Sequence, residues 1–206
     1  MSYQILYGLA YLKLHKRVHR DIKPSNLLIN SSGEVKVTDF GVSASLGNSI
    51  AMCGTFVGTF KLLQCGKVPS LFLSVFIFGT IDRYMSPERI CAAPYSFASD
   101  IWSTGLVLLE CATGLYPYPE EGTCIGMGQT ILEAAVPTPP PDMSTEFVEF
   151  IGGCLGKDPA ERLPAEILLT ASWLRTRGAV SVASSVLALR TWVQTRSQTG
   201  QGFCAR

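Results

Sequence analysis

The segment His19-Arg20-Asp21-Ile22-Lys23-Pro24-Ser25-Asn26 decides the reading of this chain, because it sets a carboxylate five positions before an amide with a lysine between them. The segment itself is irregular. Before it, residues 3–14 have the apolar spacing of a helix, and His15, Lys16 and Arg17 form a basic cluster. After it come two β-prone runs, 27–29 and 35–38, joined by Asn30-Ser31-Ser32-Gly33, whose residues favour a tight turn with Gly33 in the left-handed region. Asp39-Phe40-Gly41 follows directly.

Further out, residues 39–95 are rich in Gly, Ser, Thr and Pro with little periodicity, which predicts a long loop region of the kind where function concentrates. From Ser96 the pattern turns helical. Ile101, Trp102, Leu106, Val107, Leu109 and Cys111 belong to a helix apolar on most faces, closed by Gly114 and expected to be central. Further helices are expected near 123–134, 144–155 and 164–173, with Pro164 in a first turn. Residues 176–206 form a tail in which 180–193 reads either as one more amphipathic helix or as disordered chain.

At 206 residues and 47% apolar composition, the chain has enough material for one ordinary core. Lys and Arg number 17 against 16 Asp and Glu, so no global field draws it to nucleic acid or an acidic membrane. The seven cysteines are odd in number and contain no C-x-x-C pair, which argues against a disulfide framework and a zinc site, and for a reducing, cytoplasmic setting. Cys111 and Cys154 fall in apolar helical patterns and read as core, and Trp102, Trp173 and Trp192 read as packing residues. His15 reads as a surface residue. The start of the chain lacks the basic end, long apolar run and cleavage site of a signal peptide, and reads as a core helix entered partway along. Leu71 to Phe78 is nearly all apolar but far too short to span a bilayer.

An Asp-Phe-Gly tripeptide alone means little, but here it belongs to an ordered set. Ser86-Pro87-Glu88, then Asp100-Ile101-Trp102-Ser103-Thr104-Gly105, then Asp158-Pro159 with Arg162 follow in sequence. Together with the 19–26 segment this resembles the protein kinases over residues 2–174. The resemblance implies a mainly α fold, the large C-terminal kinase lobe with a short β ribbon. It implies ATP and Mg2+ as cofactors, Asp21 as the base for the attacking hydroxyl and Lys23 as the stabiliser of the transferring phosphate. It also implies Asn26 and Asp39 as magnesium ligands, with Lys23, Ser25, Asn26 and Asp39 around the cofactor. By the same resemblance Arg20 serves the loop and can pair a phosphate, Glu88 and Arg162 form a buried ion pair, and Asp100 anchors the catalytic loop.

Asp39-Phe40-Gly41-Val42-Ser43-Ala44, Thr55-Phe56-Val57-Gly58-Thr59 and Tyr84-Met85-Ser86-Pro87-Glu88-Arg89-Ile90 narrow the likeness to the mitogen-activated protein kinase kinases, dual-specificity enzymes acting on the activation loop of a MAP kinase. Ser49 and Thr55, with five residues between them, resemble the plant-type spacing of phosphosites for an upstream kinase.

Two departures qualify the likeness. No Gly-rich loop or partnered lysine stands before the 19–26 segment, so the small β lobe is absent from these residues and the chain alone is expected to be inactive. The domain reading is therefore a partial kinase domain at 1–175 and a tail at 176–206. Second, Gly58-Thr59 and Gly79-Thr80 repeat a dipeptide expected once, 21 positions apart, which marks about 60–79 as an insert in the segment where Thr59 or Thr80 should meet Asp21 and Lys23. A translated intron, a real insertion against the face under the small lobe, and an isoform with a regulatory plug each explain it; faulty exon choice explains both departures at once. The competing function is a non-catalytic module that binds kinase partners through the surface around 116–128 and the later helices.

Overall fold

The computed structural model describes residues 1–39, 44–45, 82–91, 93–119 and 123–198. Phe40, Gly41, Ser49, Thr55, Thr59, Thr80 and the 60–79 insert lie outside them.

Helix α1 spans Ser2–Leu14 and buries Ile5, Leu6, Leu9 and Leu12 along one stripe. His15 and Lys16, the latter at φ 56°, turn the chain into the two-residue strand β1, Arg17–Val18. Strands β2, Leu27–Ile29, and β3, Val35–Val37, form an antiparallel ribbon with Leu28 opposite Lys36. Strand β4, Ala44–Ser45, pairs antiparallel with β1. Within the region expected to be all loop, Pro87–Ile90 makes one helical turn, α2, with proline at its start.

Helix α3, Ala98–Thr113, is the central element. It buries Ser99 through Leu109 in unbroken succession and ends at Gly114 in the left-handed conformation. Gly105 lets it meet the next long helix closely, since a Cβ there would lie 2.7 Å from Cβ of Cys154 and Cδ2 of Leu155. Helix α4, Cys124–Glu133, is capped by the Thr123 hydroxyl accepting from the Gly126 amide, and α5, Thr145–Cys154, by Ser144 accepting from Phe147. Two short helices, α6 at Ala165–Leu168 and α7 at Ser172–Thr176, replace the single helix expected at 164–173, and Pro164 is the N-cap of the first. Phe147 and Phe150 pack on Trp173, at 4.9 and 4.7 Å between ring centroids. The core joins α1, α3, α4 and α5 around the fully buried Trp102.

One cysteine and one tryptophan differ from expectation: Trp192, near the end of the chain, is 45% exposed. Cys154 is fully buried, but Cys111 is exposed, because α3 is buried on every side only as far as Leu109 and its last turn emerges.

The tail is a helix, α8, at Val182–Gln198, packed on α1 and on the tip of the β2–β3 ribbon. Gly33, at φ +81°, touches it so tightly that a Cβ would lie 2.4 Å from both the Arg190 amide nitrogen and the Val186 carbonyl. The Arg190 Nε donates to the Ser32 carbonyl at 3.0 Å. From below, the Gln4 side chain donates to the Gly33 carbonyl at 3.0 Å and accepts from the Val35 amide at 2.8 Å. Both ends of one buried amide thus fix the turn. Among the described residues, no helix is long and apolar enough to cross a membrane.

Candidate active site

The site is built on the carboxylate of Asp100, in the first turn of α3 and almost fully buried. It accepts the His19 amide at 2.7 Å and the Arg20 amide at 2.8 Å, across some eighty residues of sequence. Burial pushes its pKa up, while those two amides act in the opposite direction. Arg20 is held at φ 78°, a conformation that costs a non-glycine residue about 1–2 kcal/mol and persists only where its surroundings enforce it.

His19 is fully buried and ties two segments together. Its Nδ1 accepts from the Asp21 amide at 3.3 Å, which leaves Nε2 carrying the proton donated to the Thr38 carbonyl at 3.0 Å. Thr38 in turn donates its amide (2.9 Å) and hydroxyl (3.2 Å) to the Asn26 carbonyl. The end of the ribbon is therefore laced to the 19–26 segment from both sides, and this sets Asp39, exposed and at φ 64°, beside it.

Residues 21–26 close on themselves. Pro24–Asn26 forms a short 3-10 turn, and Asn26 Nδ2 donates to both the carbonyl and Oδ2 of Asp21, at 2.8 Å each. Lys23 Nζ lies 3.0 Å from Asp21 Oδ1. Asp21, Lys23 and Asn26 thus form one hydrogen-bonded group with partly exposed charges. Ser25 is exposed at its rim.

The sequence reading missed Asp82. Its Oδ2 lies 3.1 Å from Lys23 Nζ, while its Oδ1 accepts the Tyr84 amide at 3.0 Å. Partial burial works against the Lys23 charge, but the hydrogen bonds to Asp21 and Asp82 outweigh it and raise its pKa above the ordinary lysine value. The only sequence signal was an acid shortly after the second Gly-Thr, in the segment expected to face Lys23.

Beneath the site, Arg162 and Glu88 pair in the interior, at 2.8 Å from Nη1 to Oε1 and 2.7 Å from Nη2 to Oε2. The Ser99 hydroxyl adds a 2.6 Å bond to Glu88. The remaining Arg162 donors reach the carbonyls of Gly156, Ala98 and Lys157. Burial alone would raise the Glu88 pKa, yet the Arg162 and Ser99 bonds hold it below the ordinary carboxylate value.

The donor set suits a hard cation that travels with phosphates. With Asn26 Nδ2 engaged by Asp21, its side-chain oxygen is the atom left for a metal, and Asp39 adds an exposed carboxylate. Magnesium is ordinarily held by one or two such protein oxygens plus phosphate and water. Among the described residues, no cluster of three or more His, Cys, Asp or Glu forms a protein-only metal cage. Loss of hydration raises the pKa of Cys91, Cys111 and Cys154, and takes Cys154 up to about 12, so none of these three is an activated thiolate.

Comparison with known proteins agrees with this geometry. Residues 1–174 match the protein kinase domain family. Mitogen-activated protein kinase kinase 3 of Arabidopsis thaliana is 46% identical over 172 residues, covering 82% of this chain and 29% of that protein. Mitogen-activated protein kinase kinase SIPKK of Nicotiana tabacum is 45% identical over 174 residues, covering 81% and 43%. MAP kinase kinase skh1/pek1 of Schizosaccharomyces pombe is 36% identical over 200 residues, covering 93% and 48%. The chain spans less than half the length of these curated relatives. A buried aspartate fixing the loop, an acid–lysine–amide group at its tip and a buried Glu–Arg pair below it thus occur in a chain that belongs to the protein kinase family, on its MAP kinase kinase branch.

Proposed function

We propose that this chain supplies the large C-terminal lobe of a dual-specificity kinase that moves the γ-phosphate of ATP onto Thr and Tyr in the activation loop of a MAP kinase, in the cytoplasm. The observation that carries the reading is the Asp21–Lys23–Asn26 group, held together by bonds of 2.8 to 3.0 Å on a loop whose backbone is fixed by Asp100. Asp21 orients the substrate hydroxyl and takes its proton. Asn26, by donating to Asp21 Oδ2, leaves Oδ1 facing Lys23 and stops the carboxylate rotating. Lys23 offers its ammonium to the transferring phosphate, a role for which it must loosen its contact with Asp82. Asn26 and Asp39 would hold Mg2+, Ser25 borders the nucleotide, and the bound metal supplies charge neutralisation of the phosphate oxygens.

Ser49 and Thr55 are proposed as phosphoacceptors for an upstream kinase. Arg20 is the proposed receiver, since its Nε is buried with no hydrogen-bond partner among the described residues. Residues 1–175 form the kinase unit in this proposal, with an anomalous insert near 60–79, and residues 176–206 are its packed appendage.

Without a Gly-rich loop and its lysine, the 206 residues alone are expected not to transfer phosphate. The test joins the chain to the small lobe of the tobacco relative and supplies Mg-ATP with a catalytically dead MAP kinase. The joined protein should phosphorylate both Thr and Tyr, the chain alone neither, and Asp21→Asn should lower the rate by about 10²–10⁴-fold. A joined protein indifferent to Asp21→Asn would defeat the reading and favour a non-catalytic binding module.

A further inference from the structure

Arg89 stands outside every role given so far, yet its guanidinium reaches the loop that carries Asp21. Its Nη1 donates to the Arg20 carbonyl at 2.5 Å, across 69 residues of sequence. That carbonyl belongs to the same peptide plane as the Asp21 amide, which donates to His19 Nδ1. A peptide unit is rigid, so holding its oxygen at one end and its N–H at the other fixes the direction in which the Asp21 Cα leaves it. On the other side of Arg20, Asp100 takes the amide. Every polar backbone group of this left-handed residue is therefore held by a side chain from elsewhere in the fold.

We propose that Arg89 is a positioning residue for Asp21, acting through the Arg20–Asp21 peptide, and that α2 is the bracket delivering it. The bracket is rigid for a visible reason. Glu88, the preceding residue, is locked to Arg162 and Ser99 in the interior, and the Arg89 amide closes on the Ser86 carbonyl at 3.0 Å. The Tyr95 ring lies against both guanidinium groups, 5.4 Å from Arg20 and 5.6 Å from Arg89, and keeps their planes in place. The Tyr95 hydroxyl is buried without a partner among the described residues, so the ring face is the working part. Burial lowers the Arg89 pKa, and the like charge of Arg20 acts in the same direction; Asp100, Tyr95 and Asp21 oppose it.

The inference rests on Asp21 being the base, but its test needs neither nucleotide nor substrate, so it can fail or hold independently of phosphotransfer. Amide hydrogen exchange is measured on the 206-residue chain for Arg89→Met, Arg89→Lys and Tyr95→Phe. Arg89→Met should speed exchange at the Asp21 amide by about tenfold or more while amides of α5 keep their rates. Arg89→Lys, which retains a cationic donor, should recover most of that protection, and Tyr95→Phe should leave it unchanged. Unaltered exchange at Asp21 in Arg89→Met, or equal acceleration throughout the chain, overturns the proposal. If Arg89→Met does not fold, Arg89→Lys decides alone: protection at Asp21 within about threefold of the parent supports positioning through a single charged donor, and greater loss overturns it.

Discussion

Arg162 and Glu88 meet through two parallel hydrogen bonds of 2.8 and 2.7 Å, bridging 74 residues of chain in a place where neither side chain reaches water appreciably. The pair joins the start of α2 to the turn after α5, and its worth is revealed by removing one member.

Glu88→Ala leaves a guanidinium buried among carbonyls with its carboxylate gone. Unfolding in urea should show a loss of about 3–5 kcal/mol. Glu88→Gln, which keeps oxygen and shape, should lose less, because the amide oxygen still accepts from Arg162.

The same pair gives an acid sensitivity of predictable sign. Its folded pKa is depressed, so its stabilisation is fully present above the ordinary value of 4.5 and is lost as pH falls through the folded pKa. Stability measured between pH 6 and about pH 3 should fall through that window. In Glu88→Gln this part of the slope should vanish; an unchanged slope would assign it to other carboxylates.

Lys23 is predicted to titrate high because two carboxylates flank it. Asp82→Asn removes one of them, and nitrogen-detected NMR should show the Lys23 pKa move down toward 10.5. A raised folded value stabilises below 10.5 and is lost as pH rises through it, so Asp82→Asn should also flatten stability above that pH.

Gly33→Ala should be costly for two separable reasons. The left-handed backbone costs a side chain about 1 kcal/mol, and the added carbon would collide with the α8 backbone at 2.4 Å. Thermal unfolding should show the larger combined loss in the full chain, and only the backbone part after removal of 182–206.

Much of the arrangement of the 19–26 segment was legible because its contacts are local. Asp21, Lys23 and Asn26 lie within six positions, and a short turn suffices to bring them together. The ribbon was readable from β-prone runs around a turn ending in glycine. Strands β1 and β4 were not, since two residues carry no periodicity. Asp82 and Arg89 were missed for a different reason: each acts through one polar contact spanning 59 or 69 residues, and no local pattern encodes such a distance. Cys111 was misplaced because a helix apolar on most faces hides where its burial ends. The tail stayed ambiguous between helix and disorder because its residues are small and evenly mixed. What holds it in place is a socket at Gly33, formed by a part of the chain remote in sequence.

That socket stacks Gln4, the Gly33 turn and Arg190, drawn from the beginning, the first quarter and the end of the chain. Five residues, three of them in strand β3, separate Gly33 from Asp39, and Thr38 is laced to Asn26 on the way. The last helix and Asp39 are thus attached to one short ribbon, so a residue near the end of the chain and a candidate magnesium ligand near its start share a single support.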